Sequence, residues 1–328
     1  MALTVLSGIR ATGRLHPGNY FGAMRHFVEF QNSENRLMFF VADWHTLTTL
    51  DDPEELRKNI PEIVKDYLAA GLDPERSILY TQSSVPQIAE LCLLLSMLQP
   101  LGHLQRVPTF KDMVRKHPDR VTLGLISYPV LMAADILGPQ ADLVPVGQDQ
   151  VPNVELARDL ADQFNRRFGE TFTLPKMLPQ MIRVPGTDGK KMGKSDGNGF
   201  DLNATPDEIR EAYRRAPTDP GRVRRDDPGT PKNCLTIYPM HELVTPGETT
   251  HRTIANRCRS ADISCVDCKS LMAENLSKNL KPFQERRREF ADKDELVRDV
   301  LAEGGRKARE IFQQTVDTVR VKMGLERY

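Results

Sequence analysis

Short apolar runs and longer helix-like patterns alternate along the first half of the chain. Each apolar run is bounded by polar or turn residues and is too short for a buried helix, which is typical of the buried strands of a parallel sheet. The clearest runs are residues 3–6, 36–43 and 77–81, and the clearest helical patterns start at Asn19, Asp52, Pro86 and Asn153. The alternation continues to about residue 185 and predicts an α/β fold with a doubly wound parallel sheet.

The pattern changes after residue 185, where a loop rich in Gly, Lys and Asp begins. This stretch has little apolar support, which predicts an exposed, mobile loop. The remainder is mostly helical, most clearly over residues 206–215, 271–291 and 304–323. We therefore expect four segments: an α/β domain at 1–185, the loop at 186–200, an all-helical domain at 201–303, and a C-terminal helix at 304–328 that packs back on the first domain.

The bulk composition restricts the functions that the chain can have. Its 45 basic and 45 acidic residues balance to a net charge of zero, so any surface for RNA must be a local patch. The start of the chain has no basic segment followed by an apolar one, and no apolar run is long enough to cross a membrane. We expect a cytoplasmic protein with no membrane contact.

Two glycine-containing loops carry residue types that suit phosphate. The first, residues 16–19 (His-Pro-Gly-Asn), lies where a strand passes into a helix, and a helix start offers free backbone N–H groups and a positive dipole end to an anion. The second, residues 190–195, contains three lysines and a serine, which can neutralise charge that develops in a transition state. An ordinary strand-to-helix connection and a generic basic loop are the simpler alternatives.

Polar residues also follow the predicted strands. Asp43 and His45 lie at the end of the second apolar run, and residues 147–150 follow a later one. Ligands of open α/β sheets collect at the carboxyl ends of strands, so these are candidate site residues, although a structural histidine fits equally well. Asp135 lies in an apolar helix, where a carboxylate is costly unless a partner compensates it.

These segments resemble one enzyme family. Residues 16–19 and 191–195 (Lys-Met-Gly-Lys-Ser) look like the two motifs of class I aminoacyl-tRNA synthetases that are commonly written HIGH and KMSKS. Residues 128–135 and 144–150 resemble the tryptophanyl members of the family. The resemblance covers nearly the whole chain and keeps the family's order and spacing.

Three positions depart from the family's usual pattern. Asn19 replaces a histidine, as in several tryptophanyl enzymes, and keeps a side-chain donor. Gly193 replaces a serine, which removes a hydroxyl but leaves both lysines of the motif. Gln148 stands where relatives often have an acid, so one expected ATP contact loses its charge.

The resemblance implies a Rossmann-like nucleotide-binding catalytic domain, a helical tRNA anticodon-binding domain and a two-step reaction. ATP, as its Mg²⁺ complex, activates L-tryptophan to tryptophanyl-adenylate with release of pyrophosphate. The amino acid then passes to the 3′ end of tRNA(Trp). Such a transfer depends on holding the reactants in line and neutralising phosphate oxygens, and it needs no protein nucleophile.

The family's site residues can be carried over position by position, which implies three sets. The catalytic set is His16, Asn19, Lys191, Lys194 and Ser195. The ATP-binding set is Arg10, Ala11, Thr12, Gly18, Asn19, Gly147, Gln148, Asp149, Val184, Lys191, Met192, Gly193, Lys194 and Ser195. The tryptophan-binding set is Gly8, His45, Tyr128, Met132, Asp135, Val146 and Gln150. Within it, Asp135 would accept the indole N–H, and amino acids without that donor would be rejected.

Four of the five cysteines occur late in the chain, and the last three are spaced Cys-x6-Cys-x2-Cys: Cys234, Cys258, Cys265 and Cys268. Four thiolates can hold a [4Fe–4S] cluster or Zn²⁺, and free thiols are the alternative. A subset of bacterial tryptophanyl enzymes resembles the chain in having such cysteines and holds a [4Fe–4S] cluster with them, which we expect here in preference to zinc. Cys92 lies in an apolar helix, and we expect it in the core.

The resemblance further implies a homodimer and a tRNA surface on the helical half. Basic residues cluster there around 222–225 and 286–288, although an arginine run on a helix is often only a solvated face. Two alternative functions are open at this point. A tyrosine-activating synthetase is one, because a phenol can also donate to Asp135. A catalytically silent paralogue that binds tryptophan or RNA is the other.

Overall fold

A computed structural model describes residues 2–31, 33–178, 183–193 and 196–325 of the chain. The chain forms two compact units. The first contains Met1–Gly13, Phe27–Met181 and Asp292–Tyr328, and the second contains Arg14–His26 and Ile182–Ala291. Among the described helices, none is long and apolar enough to span a membrane.

The first unit contains a parallel sheet. Its strands in the described residues are β1 (Thr4–Ile9), β2 (Arg36–Val41), β3 (Ser77–Thr81), β4 (Leu143–Val144) and β5 (Lys176–Met177). They lie in the order β3-β2-β1-β4-β5, and every neighbouring pair is parallel. The predicted α/β fold with a parallel sheet is confirmed, and the strand order reverses between β1 and β4.

The first two strands are buried along almost their whole length. Of their residues, only Gly8 in β1 and Arg36 in β2 are exposed, which explains why both sequences are apolar without alternation. Ile9 pairs with Val41, and Val41 pairs in turn with Thr81. The carboxyl ends of β1, β2 and β3 therefore lie level.

Helices form most of the remaining described structure. In chain order they are α1 (Pro17–Asn19), α2 (Arg25–Phe30), α3 (Asp43–Thr46), α4 (Pro53–Ala70), α5 (Gln87–Ser96), α6 (Leu101–Leu104), α7 (Pro108–Lys116), α8 (Leu123–Leu137), α9 (Val151–Phe168), α10 (Pro206–Arg214), α11 (Ile237–Val244), α12 (Glu248–Arg259), α13 (Cys265–Glu289) and α14 (Asp294–Lys322). A π-helical turn, Tyr20–Met24, connects α1 to α2.

The helices α13 and α14 begin more than a full turn earlier than the sequence pattern predicts. α13 starts at Cys265 and not at residue 271, because Ser264 caps it by accepting a hydrogen bond from Asp267 N at 3.0 Å. α14 starts at Asp294 and not at Gly304. The glycine that suggested a helix start in the sequence lies inside the helix.

Gly304 allows α14 to pack closely against β3. A side chain at this position would place its Cβ 1.8 Å from the carbonyl oxygen of Leu79, so only glycine permits the approach. Farther along α14, Phe312 joins the apolar core that α5, α8 and α9 form with the sheet. Cys92 packs against the same core, as predicted.

Candidate active site

Several candidate site residues of the first unit follow the carboxyl ends of its strands. Arg10 follows β1, Asp43 and His45 follow β2, Gln82 follows β3, and Gly147 comes shortly after β4. Because the strand order reverses between β1 and β4, the loops after these two strands diverge and leave a crevice in which ligands of such sheets bind.

Asp135, on α8, is even more deeply buried than Asp43, with 1 % of its surface exposed against 5 %. His45 Nε2 lies 2.9 Å from its Oδ2, and Gln82 Nε2 lies 2.9 Å from both carboxylate oxygens. Burial raises the pKa of Asp135, and the hydrogen bonds from His45 and Gln82 oppose the rise. The carboxylate is therefore held in one orientation. Its Oδ1, with Gln82 as its hydrogen-bond partner, keeps a lone pair for a further donor.

Asp43 makes hydrogen bonds that support the strand ends. It accepts hydrogen bonds from Trp44 N at 3.0 Å, from Ser83 N at 2.9 Å and from the Ser83 hydroxyl. The carboxylate thereby ties the end of β2 to the turn after β3. Asp43 supports the strand ends, and its carboxylate is already occupied by protein donors.

An aromatic and apolar wall adjoins Asp135. The ring centroids of His45 and Tyr128 lie 4.1 Å apart. Met132, one turn before Asp135 on α8, packs against the core, as does Val146 after β4. The predicted apolar residues of the tryptophan set thus come from the helix and the strand end that flank the carboxylate.

Charges from separate segments act on Tyr128. Burial raises the pKa of this phenol, the guanidinium of Arg10 lowers it, and the carboxylates of Asp135 and Asp149 raise it. Arg10 and Asp149 belong to the predicted ATP set, whereas Tyr128 and Asp135 belong to the tryptophan set. The fold therefore brings members of both sets together.

Hydrogen bonds fix the loop after β1. Ala11 N donates to Thr46 Oγ1 at 2.8 Å, and Asn59 Nδ2 donates to Ala11 O at 2.9 Å. Arg10 Nη1 donates to Thr49 Oγ1 at 3.4 Å. The backbone of this loop is consequently held in place before any ligand binds.

Gly8 leaves one position of β1 without a side chain. It is the exposed residue of the strand, and a Cβ there would lie 2.7 Å from the ring of Phe40. The ring of Phe40 thus occupies the place that a side chain at position 8 would take, and glycine leaves room for it.

The segment after β4 orients Gln150. Gln148 and Asp149 are exposed. Gln150 Nε2 donates to Asp149 Oδ2 at 3.0 Å, and Gln150 Oε1 accepts from Asn153 Nδ2 at 2.9 Å. Asn153 is fully buried and is held in turn by Thr109 Oγ1 at 2.9 Å. The amide of Gln150 thus has a defined direction.

In the second unit, residues 16–19 form the start of α1. His16 is 9 % exposed. His16 N donates to Asn19 Oδ1 at 3.1 Å, and Asn19 N donates to His16 O at 2.8 Å. Asn19, which departs from the family's usual histidine, therefore helps to cap the helix.

The second motif begins in a hairpin of the second unit. Met192 N donates to Val184 O at 3.0 Å, and Gly186 N donates to Lys190 O at 2.7 Å. Lys191 is exposed next to this pairing. The hairpin gives Lys191 a fixed backbone and an exposed side chain.

Met192 joins the two motifs. Its side chain is 3 % exposed, and its Sδ accepts a hydrogen bond from Gly18 N at 3.3 Å. The parts of the two predicted motifs that belong to the described residues are therefore in contact. Lys194 and Ser195, which were predicted as catalytic, lie outside the described residues.

Comparison with known proteins agrees with this geometry. A family model described as "tRNA synthetases class I (W and Y)" matches residues 1–281. The tryptophan–tRNA ligase of Thermotoga maritima is 42% identical over 327 residues, which cover 98% of this chain and 99% of that protein. The chain belongs to the class I tryptophanyl- and tyrosyl-tRNA synthetases. The tryptophan–tRNA ligase of Deinococcus radiodurans is similar to this synthetase at 41% identity, over 98% of both chains.

Solved structures of both branches of the family share this fold. A tryptophanyl-tRNA synthetase of Campylobacter jejuni in complex with ADP and tryptophan has a TM-score of 0.84 and 34% identity, over 98% of this chain and 100% of that one. A tyrosyl-tRNA synthetase of Archaeoglobus fulgidus in complex with L-tyrosine is 19% identical with a TM-score of 0.71, over 87% and 90% of the two chains, and shares the fold. The synthetase is a tryptophan–tRNA ligase.

The synthetase brings its four late cysteines to one cavity. Cys234, Cys258, Cys265 and Cys268 line it together with Arg222. Burial and, to a smaller extent, the three neighbouring thiols raise the pKa of Cys268 to about 12. Within the described ranges, no three His, Cys, Asp or Glu side chains are arranged so that they could hold one metal ion. The four predicted cysteines therefore line one cavity, but their sulfur atoms are not arranged as ligands of one metal ion.

Three residues of the synthetase were not predicted from the sequence: Gln82, Asn153 and Asn198. Gln82 directly follows β3, so the strand-end rule that selected His45 would also have found it. Asn153 and Asn198 have no such signal, because neither directly follows a strand. Their hydrogen bonds, with Gln150 and with the hairpin respectively, exist only in the folded chain.

Proposed function

We propose that this tryptophan–tRNA ligase activates L-tryptophan at the carboxyl ends of β1 and β4. The tryptophan carboxylate attacks the α-phosphate of the Mg²⁺–ATP complex, and pyrophosphate leaves. The tryptophanyl group of the adenylate then passes to the 3′-terminal adenosine of tRNA(Trp). Both steps require alignment of the reactants and neutralisation of charge, and neither requires a covalent bond to the protein.

Asp135 is the observation that carries this assignment. A buried carboxylate with a lone pair remaining on Oδ1 offers an acceptor to the indole N–H. Tyr128, Met132 and Val146 supply the apolar slot for the rings. The buried His45 Nδ1 has no hydrogen-bond partner among the described residues, so it is available to the amino-acid end of the substrate. Gly8 and Gln150 complete the proposed tryptophan set.

We propose the ATP-binding residues on the family resemblance, residue by residue. The fixed backbone around Ala11 supports binding by the loop after β1. The residues proposed for ATP are Arg10, Ala11, Thr12, Gly18, Asn19, Gly147, Gln148, Asp149, Val184, Lys191, Met192 and Gly193. His16 and Asn19 act with Lys191 on the phosphates. Lys194 and Ser195 are proposed for the departing pyrophosphate on the family resemblance alone.

Amino-acid-dependent ATP–pyrophosphate exchange tests this assignment. Tryptophan, tyrosine and phenylalanine are assayed in parallel on anaerobically purified protein. We expect exchange with tryptophan and at least about 10³-fold less with phenylalanine, which leaves a buried acceptor without its donor. Comparable exchange with tyrosine would contradict the assignment of tryptophan as the specific substrate. Absence of exchange with all three, together with tight tryptophan binding, would favour a binding module.

The helical unit is proposed to bind the anticodon region of tRNA(Trp). We assign catalysis to residues 1–185 with the loop at 186–200, tRNA binding to 201–303, and a packing role to 304–328. Arg222, Arg224 and Arg225 support the tRNA surface as a local basic group. In the second basic run, Arg287 is 7 % exposed, so it supports the fold of α13 and only its neighbours can reach a ligand.

We propose a [4Fe–4S] cluster in the cysteine cavity. The donor set fits, because four thiols line one cavity and soft sulfur ligands suit iron–sulfur clusters. Binding would require the sulfurs to move to ligand distance and lose their protons, and Arg222 in the same lining would offset negative charge. When bound, the cluster would cross-link the segments that carry Cys234, Cys258, Cys265 and Cys268. Its role would be structural, and Zn²⁺ is the alternative metal.

A homodimer is proposed on the family resemblance and on exposed apolar residues. Leu93, Met97 and Leu101 are 58 %, 66 % and 59 % exposed, and successive members are four residues apart on α5 and the turn into α6. Apolar side chains grouped on a surface are typical of protein interfaces. We assign them to contact with a second copy of the chain.

A further inference from the structure

We propose that Asn198 is a positioning residue for adenylate formation. Its side chain fixes the backbone of residues 191–193, which carries the Lys191 side chain and holds Met192 against Gly18. Family resemblance does not assign this role, because Asn198 lies outside the five residues that form the second motif.

The side chain of Asn198 makes hydrogen bonds with three different parts of the hairpin. Oδ1 accepts from Gly193 N at 2.9 Å, and Nδ2 donates to Lys191 O at 3.0 Å and to Asp188 Oδ1 at 2.8 Å. The main chain adds a fourth bond, from Thr187 N to Asn198 O at 2.9 Å. Asn198 is 3 % exposed, so water competes little for these groups.

The chemistry of the partners requires an amide at position 198. Gly193 N is a donor and must meet an oxygen, whereas Lys191 O is an acceptor and must meet an N–H group. The amide therefore has one satisfactory orientation. An aspartate has the same shape, but its second oxygen would oppose Lys191 O and the Asp188 carboxylate. Asn198→Asp should therefore disturb the hairpin more than Asn198→Ala.

Gly186 makes room for this amide. A Cβ at position 186 would lie 2.5 Å from Cγ and Nδ2 of Asn198, which is closer than any real contact. The hairpin thus accepts the amide only because its facing position has no side chain. Gly186→Ala would displace Asn198 without removing any of its hydrogen-bonding groups.

Asn198 acts on the motif through the backbone on either side of Met192. Lys191 O and Gly193 N, its two main-chain partners in the motif, flank Met192, whose Sδ accepts from Gly18 N at 3.3 Å. Gly199 lies against the same thioether side chain, with its Cβ position 3.2 Å from Met192 Cγ. Loss of the amide would free this backbone and misplace Lys191 relative to the first motif. A misplacement of about 1 Å costs on the order of 10²-fold in rate.

The test compares four variants of the full chain with wild type: Asn198→Ala, Asn198→Asp, Gly186→Ala and Asn203→Ala. Asn203 is a matched control, because it is exposed and its amide bonds to Asp201 outside the hairpin. Each protein is titrated for active sites. The single-turnover rate of tryptophanyl-adenylate formation and the Kd of tryptophan are then measured, with thermal unfolding as the check on folding.

We expect about 10-fold to 100-fold slower adenylate formation per active site in both Asn198 variants and in Gly186→Ala, with an unchanged Kd for tryptophan. Asn198→Asp should be the slowest, and Asn203→Ala should match wild type. Rates within twofold of wild type in Gly186→Ala and in either Asn198 variant would overturn the proposal. An equal loss of tryptophan binding would also overturn it, since that result indicates general damage to the fold. Wild-type exchange activity tests the tryptophan site independently.

Discussion

Asp135 is a buried carboxylate in the first unit, and two neighbouring side chains fix its orientation. His45 and Gln82 follow different strands, and both hold the carboxylate at 2.9 Å. A carboxylate that is already oriented loses little entropy when a substrate donor arrives. A substrate without an N–H group at that point leaves a buried acceptor unsatisfied, which is the physical basis of the expected selectivity.

Asp135→Ala should reduce kcat/KM for tryptophan by about 10-fold to 100-fold, the cost of one hydrogen bond to a charged group. The KM for ATP should stay within twofold, and discrimination against phenylalanine should fall. Pyrophosphate exchange with both amino acids measures these changes. Asp159→Ala, at an exposed position of α9, is the matched control. An unchanged tryptophan-to-phenylalanine ratio in Asp135→Ala would exclude the assigned role.

From the sequence alone, we could identify residues whose side-chain polarity is unusual for the surrounding segment. Asp135 could be predicted because a carboxylate in an apolar helix needs a partner. The place of Gln82 after β3 could mark it as a site candidate, but its pairing with Asp135 could not be predicted from the sequence. Asp43 was a candidate by position, and only its hydrogen bonds revealed a supporting role. The role of Asn198 could not be predicted from a sequence pattern, because its hydrogen-bond partners are mainly backbone groups.

At the scale of elements, the contact between α14 and β3 depends on the absence of a side chain at Gly304. The same glycine is where the predicted helix began, because glycine inside a helix is unfavourable unless packing requires it. In the folded chain its Cα faces the main chain of Leu79. The predicted start of α14 was therefore wrong, because the contact that requires glycine at position 304 is made with a strand that is distant in the sequence.

Gly304→Ala should lower the free energy of unfolding by about 1–3 kcal/mol, because the new Cβ must push α14 away from β3. Chemical denaturation followed by circular dichroism measures this change. Gly102→Ala provides the comparison, since this exposed helical glycine would gain a Cβ 3.5 Å from the flexible Arg106 side chain. It should be neutral or slightly stabilising. Equal stability of the two variants would contradict the close packing.

The cysteine cavity brings together two helices and the segment before α11: Cys234 lies before α11, Cys258 on α12, and Cys265 and Cys268 on the first turn of α13. Anaerobically purified wild type should contain about four iron atoms per chain. Cys265→Ser should lose this iron, whereas Cys92→Ala, in the core of the first unit, should retain it. Iron, zinc and acid-labile sulfide are measured together. Zinc in place of iron would exclude the cluster, and unchanged metal in Cys265→Ser would exclude Cys265 as a ligand.

At the scale of the whole molecule, the exposed apolar residues predict how chains associate. Met97→Glu would place a charge among Leu93 and Leu101 and should shift the protein from dimer to monomer at micromolar concentration. Light scattering coupled to size-exclusion chromatography measures the mass. Val321→Glu alters a residue that is similarly exposed, 67 %, on α14 and should leave the mass unchanged. A Met97→Glu protein that remains dimeric would place the interface elsewhere.

The assignment of chain segments to the two units could not be predicted from the pattern of hydrophobic and polar residues along the sequence. Strand and helix patterns depend on neighbours in sequence, so they predicted the α/β fold and the helical region after it. Arg14–His26 belongs to the unit formed mainly by the second half of the chain, through contacts such as Leu202 N donating to Leu15 O at 3.0 Å. No periodicity within a single segment contains that information.

The contact between Gly186 and Asn198 should constrain which substitutions these two positions accept during the evolution of the family. A residue with a Cβ at position 186 is incompatible with the observed amide at 198, and an amide without the open glycine position has no space. The two positions should therefore change together among relatives, because each single substitution passes through a damaged intermediate. In related sequences these two coupled positions would then lie twelve residues apart on the chain, with the lysine motif between them.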